Sequence, residues 1–78
     1  MQVFLKAGGI LKDYLKPDVD AYTRKVQVRE GQTLREILAD LGLLPHVAMA
    51  FANDKLIALA YVPREGDVIT LRPPVQGG

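Results

Sequence analysis

The residues best suited to chemistry in this sequence are the six that end it, Pro73-Pro74-Val75-Gln76-Gly77-Gly78, which leave a carboxylate on a glycine. Two successive prolines hold φ near the polyproline value and bias the residue before each toward extended backbone. Arg72 and Pro73 are therefore expected to leave a folded body as a straight strut. Gly77 and Gly78 carry no Cβ, so the end is thin enough to enter a constriction closed to other residues. Six extended residues reach roughly 20 Å at about 3.3 Å each, far enough to carry the terminal carboxylate into another protein's active site. Two glycines alone are most simply a frayed terminus. Their position, last in the sequence behind a rigid spacer and a predicted strand, favours a tail that is itself a substrate.

The other side chains offer little rival chemistry. The sequence has no cysteine and no serine. The two commonest enzymic nucleophiles are therefore missing, and disulfides and thiolate metal sites are excluded. His46, the one histidine, follows Pro45 in a connecting segment where a lone imidazole is most often solvated. Gly8-Gly9 lacks both the rest of a glycine fingerprint and a P-loop lysine. No metal site, no bound cofactor and no autonomous active site are expected. Ten Lys/Arg scattered among nine Asp/Glu give a net charge of +1, without the basic stripe a nucleic acid would need. No apolar run approaches the ~20 residues of a membrane span, and Met1-Gln2-Val3-Phe4 lacks the features of a cleavable leader. A cytoplasmic location is expected.

Aiming such a tail requires a small rigid body. The 78 residues read as one domain over 1–72 followed by the tail, 73–78. Val3 and Leu5 alternate with Gln2, Phe4 and Lys6 as a strand. Ile10, Leu11, Tyr14 and Leu15 share one side of a short helical turn that Lys16-Pro17-Asp18 ends. Lys25-Val26-Gln27-Val28 reads as a second strand, closed by Glu30-Gly31. Thr33-Leu34-Arg35-Glu36 is a capping box, Leu34, Ile37, Leu38 and Leu41 form one apolar stripe, and Gly42 stands where a left-handed C-cap would. That helix is too short to persist alone, so it must lie on a sheet. Val47 to Ala52 alternates large and small residues as a third strand, with Met49 and Phe51 expected in the core. Asn53-Asp54 is turn chemistry, Lys55 to Ala60 a short or irregular fourth strand, and Pro63 to Asp67 another turn. Val68 to Arg72 is the last strand, with Ile69 and Leu71 inward, and it runs directly into the tail.

This order, carried by Glu30-Gly31-Gln32-Thr33-Leu34-Arg35-Glu36-Ile37-Leu38, Ala52-Asn53, Glu65-Gly66-Asp67-Val68-Ile69 and the terminal Pro73-Pro74-Val75-Gln76-Gly77-Gly78, resembles the ubiquitin-like sulfur carriers of the MoaD/ThiS family. The Pro-Pro-Val-x-Gly-Gly ending is most similar to the small subunit of molybdopterin synthase. The resemblance implies an α+β fold, the ubiquitin-like β-grasp. In it a mixed four- to five-stranded sheet packs on one main helix, and an extended diglycine tail follows. One departure stands at Arg72, where many molybdopterin-type members carry an apolar or aromatic residue near the partner surface.

A carboxylate resists nucleophilic attack, and the resemblance implies how Gly78 is activated. A separate adenylating enzyme uses ATP to make the acyl-adenylate, and a sulfur donor converts it to a thiocarboxylate. The tail, Pro73, Pro74, Val75, Gln76 and Gly77, would thread into a large catalytic subunit that builds the molybdenum or tungsten cofactor, with Arg72 and Phe4 at the docking surface. This chain would then be a small, non-catalytic sulfur-donating subunit. The same residues leave open a sulfur carrier for thiamine thiazole or another pathway, a ubiquitin-like modifier conjugated through Gly78, and a plain binding module with an inert tail.

Overall fold

The computed structural model describes residues 1–74. Five strands form one mixed sheet in the order β2-β1-β5-β3-β4. They are β1 Gln2–Lys6, β2 Thr23–Gln27, β3 Met49–Ala52, β4 Lys55–Ile57 and β5 Val68–Arg72. β1 pairs antiparallel with β2 and parallel with β5, while β3 pairs antiparallel with both β5 and β4. β5 is thus flanked on both sides, and it is the strand from which the tail departs.

Two helices, α1 Gly9–Leu15 and α2 Leu34–Asp40, pack with one face of the sheet. α1, expected as a short helical turn beside the main helix, equals α2 in length at seven residues. α2 begins as its sequence requires. Thr33 Oγ1 accepts from the Glu36 N–H at 3.2 Å and Glu36 Oε1 accepts from the Thr33 N–H at 3.0 Å, closing the capping box. The next two amides, free by the geometry of any helix start, donate to the carbonyls of Tyr61 and Leu59 at 2.8 and 2.9 Å. Gly42 takes φ +72° just beyond the last turn, in the left-handed region where a Cβ is costly.

One core joins Val3 and Leu5 of β1, Leu11 and Leu15 of α1, Leu34, Ile37 and Leu38 of α2, and Ile69 and Leu71 of β5, each 2% exposed or less. Two expectations fail at its margins. Ile10 and Tyr14 are exposed while Leu11 and Leu15 are buried. Neighbouring helical positions differ by about 100°, and only the 11/15 stripe meets the sheet. In β3 the small residues, not the bulky ones, face the core. Ala50 pairs with Leu71 and Ala52 with Ile69, so both share the inward face, while Met49 and Phe51 pair with Arg72 and Thr70 on the outer one. Among the described residues no helix is long and apolar enough to cross a membrane.

Candidate functional site

β5 ends at Arg72, whose carbonyl accepts from the Ala48 N–H at 2.8 Å, and Pro73 and Pro74 follow exposed and outside any strand. The root of the predicted tail is thereby tied to the middle of the sheet. Val75, Gln76, Gly77 and Gly78 lie outside the described residues.

At its opposite end β5 is fixed by a polar cluster around one buried carboxylate. Asp67 immediately precedes the strand and is 7% exposed. One carboxylate oxygen accepts from the Tyr61 hydroxyl at 2.6 Å and the Arg64 N–H at 3.0 Å, and the other from the Asn53 side-chain amide at 3.1 Å. Burial pushes the Asp67 carboxyl up, but these three donors more than reverse it, so it is held below the usual carboxylate range. The bond to Asp67, aided by burial, holds the Tyr61 phenol above its ordinary value. Asn53 also exchanges bonds with Val68, accepting from its N–H at 3.3 Å and donating its own N–H to its carbonyl at 3.0 Å. Asn53 and Asp54 have φ +50° and +72°, the left-handed pair a two-residue hairpin turn demands. The Ala52-Asn53 and Glu65-Gly66-Asp67 segments singled out in the sequence are therefore one structure, which seats the start of β5.

Among the described residues no helix covers the outer face of the sheet. Phe4 and Val68 are paired across β1 and β5, and Thr70, Phe51 and Leu56 continue the row across β5, β3 and β4. Met49, Leu56 and Val68 are 45, 64 and 37% exposed, and Phe4 and Phe51 are half-buried. The Arg72 guanidinium lies 6.0 Å from the centre of the Phe51 ring, within cation–π range. Phe4 and Arg72, the two residues assigned to docking from sequence, are thus on one continuous surface. Sequence reasoning missed Met49, Phe51 and Leu56 there; the small Ala50 and Ala52 between the bulky residues were the signal, because a close-packed layer takes the small side. His46 lies in a 3₁₀ turn, Leu44–His46, with its ring stacked on Tyr14. Among the described residues no group of three or more His, Cys, Asp or Glu is placed to hold a metal ion.

A family model described as the ThiS family matches residues 14–78. The chain belongs to the ThiS family. This is the family of sulfur carriers whose likeness the glycine turns and the diglycine ending convey. The chain is similar to the sulfur carrier protein TtuB of Thermus thermophilus, 33% identical over 55 residues that span 70% of this chain and 85% of that protein. Its fold matches small archaeal modifier protein 1 of H. volcanii with a TM-score of 0.73 at 22% identity, covering 95% of this chain and 98% of that one. That match establishes the ubiquitin-like β-grasp. One chain from a complex of subunits 1 and 2 of the molybdopterin-converting factor from Helicobacter pylori matches with a TM-score of 0.59 at 28% identity, covering 100% of this chain and 100% of that one.

Proposed function

We propose that this ThiS-family protein carries sulfur as a thiocarboxylate on Gly78 and delivers it, within a complex with a larger catalytic subunit, to the pterin precursor of the molybdenum or tungsten cofactor. The observation that carries the reading is the continuity of β5 with the Pro73-Pro74 strut, on a chain whose family match runs to residue 78.

The chemistry proceeds in balanced steps. A Gly78 carboxylate oxygen attacks the α-phosphorus of ATP on the adenylating enzyme and pyrophosphate leaves. A persulfide of the donor attacks the acyl carbon and AMP leaves, giving an acyl disulfide. A thiol cleaves that bond, is oxidised to a disulfide, and releases the thiocarboxylate. The terminal sulfur then attacks an electrophilic carbon of the acceptor and displaces an oxygen leaving group from it, and water hydrolyses the resulting thioester, leaving a thiol on the acceptor and restoring the Gly78 carboxylate. The acid, base and nucleotide groups belong to the partners. This chain contributes the strut, the slender end and the outer sheet face with Phe4, Phe51 and Arg72. With no cysteine in the sequence, no side-chain thiol competes for the sulfur.

The similarity to TtuB, 33% identical over most of that protein, favours a second reading, in which the same thiocarboxylate serves a different acceptor. Thiocarboxylated protein incubated with a molybdopterin-synthase large subunit and the pterin precursor separates the two. Dithiolene formation supports the first reading. A stable complex with no transfer, or no complex, turns the assignment to the second.

A further inference from the structure

The strut forms one wall of an open cleft of about 400 Å³ beside α1. The other walls are Ile10 and Tyr14 of α1 and Pro45 and His46 of the 3₁₀ turn. Ile10 is 75% exposed and Tyr14 47%, so apolar surface that is unfavourable to hydrate stands beside the point where the tail departs. The Tyr14 and His46 rings lie 4.0 Å apart between centroids with planes 13° apart, which makes that wall a flat ledge. None of the walls carries a fixed charge. On the sheet side of the same root charged groups are present, with Arg72 over Phe51 and Asp54 lining the same hollow. The tail therefore emerges between two surfaces of different chemistry, and only the sheet side enters the docking surface described above.

We infer that the α1 cleft is a second grip on the tail root and that its occupant is an apolar side chain or loop of the enzyme that adenylates Gly78. The inference rests on the sulfur-carrier reading. Gly78 is the fourth residue after Pro74, a reach of roughly 13 Å at full extension. An active site that reacts at Gly78 must lie within that distance of the Pro73-Pro74 wall, and a protein that encloses the terminus must cover the adjoining Ile10 and Tyr14. The adenylating enzyme is the occupant because carboxylate activation precedes every transfer such a tail can make. An apolar contact fits the Ile10, Tyr14 and proline walls, whereas an acidic contact is better placed on the Arg72 side. The cleft is too open to retain a free metabolite and suits a protruding group on another protein.

The test is ATP–pyrophosphate exchange by the adenylating enzyme of the same genome, with this protein titrated as substrate. Ile10→Asp places a carboxylate in the cleft, and because residue 10 is exposed and in the first turn of α1, the change leaves the fold intact. It is expected to raise KM by about tenfold, the loss typical of a central interface residue, with kcat changed less than about twofold. Tyr14→Ser, which removes half of the stack, gives a smaller rise. Val62→Asp, at a 44% exposed residue beside Met1 at the opposite end of the sheet, leaves KM unchanged. Equal KM values for wild type and Ile10→Asp overturn the inference, as does an equal rise in Val62→Asp. If the wild type supports no exchange at all, the sulfur-carrier reading fails and the inference with it.

Discussion

The Tyr61 hydroxyl donates a 2.6 Å hydrogen bond to the Asp67 carboxylate, joining the loop that caps α2 to the residue that opens β5. Tyr61 also accepts from the Leu34 N–H through its carbonyl at 2.8 Å, so a single residue couples the helix start to the strand that aims the tail. Tyr61→Phe deletes the hydroxyl and keeps the ring. A hydrogen bond to a buried charge contributes about 1.5–3 kcal/mol, and the variant is expected to lose about that much in urea unfolding. Asp67→Ala is expected to lose more, because the Asn53 amide and the Arg64 N–H forfeit the same partner.

The pH dependence follows from the same pair. The folded carboxyl of Asp67 is depressed, so its contribution is fully present above the ordinary unfolded value of about 3.9 and is lost as pH falls through the folded one. The Tyr61 phenol is raised, so its contribution is present below about pH 10 and is lost as pH rises through the folded value. Thermal melts should show wild type losing midpoint temperature below about pH 4, with Asp67→Asn flatter over that window. Tyr61→Phe should be flatter than wild type in the alkaline window. Parallel curves for all three proteins would contradict the assignment.

The capping box gives a prediction confined to stability. Thr33→Ala removes the acceptor of the Glu36 N–H and is expected to cost about 1 kcal/mol. In a domain of this size that lowers the midpoint by roughly 4–8 °C. Sulfur loading at saturating protein should be unchanged, since Thr33 lies in neither proposed docking surface.

These stabilising features differ in how plainly the sequence displays them. Thr33 and Glu36 are three residues apart and bond within their own turn, so spacing alone identifies the cap. Val3, Leu5, Ile69 and Leu71 alternate cleanly and are inward as expected. Asp67 finds Tyr61, Asn53 and Arg64 in three different segments, and a bond between distant segments leaves no local periodicity. β3 misleads for a related reason. Its inward face is set by register with Leu71 and Ile69, and the side chains facing a crowded layer are the small ones, Ala50 and Ala52. Tyr14 and His46 are far apart in sequence, and their stack arises only where α1 meets the 3₁₀ turn. The backbone restriction at Pro73 and Pro74 is readable from sequence because the proline ring imposes it covalently, whereas Val75 to Gly78 lie outside the described residues.

The outer sheet face supplies a binding prediction. Phe51→Asp puts a carboxylate under the Arg72 guanidinium and removes the ring from the apolar row, while Arg72→Glu reverses the charge beside the tail root. Each is expected to weaken the complex with the large subunit by about tenfold or more, with the thermal midpoint little changed for Arg72→Glu because residue 72 is exposed. Titration by fluorescence anisotropy measures this. Wild-type affinity in both variants would remove the sheet face from the docking surface.

The tail supplies its own. Deleting Gly78 removes the carboxylate proposed to react from its register, and Gly77→Val adds a branched side chain to the end proposed to enter a narrow channel. Both are expected to abolish sulfur loading and leave the melting curve of wild type. Normal loading of Gly77→Val would show that the channel is not narrow at that position.

The most direct measurement is the chemistry of Gly78. Protein incubated with ATP, a sulfur donor and the adenylating enzyme is treated with a thiol-alkylating reagent, and the adduct is mapped by fragmentation of the intact chain. The absence of cysteine removes side-chain background, and mapping is needed because oxidation of Met1 or Met49 mimics the mass of an oxygen-to-sulfur exchange. The account predicts an ATP-dependent alkyl group on Gly78 alone. An unmodified Gly78, with active adenylating enzyme demonstrated in the same mixture, would contradict it.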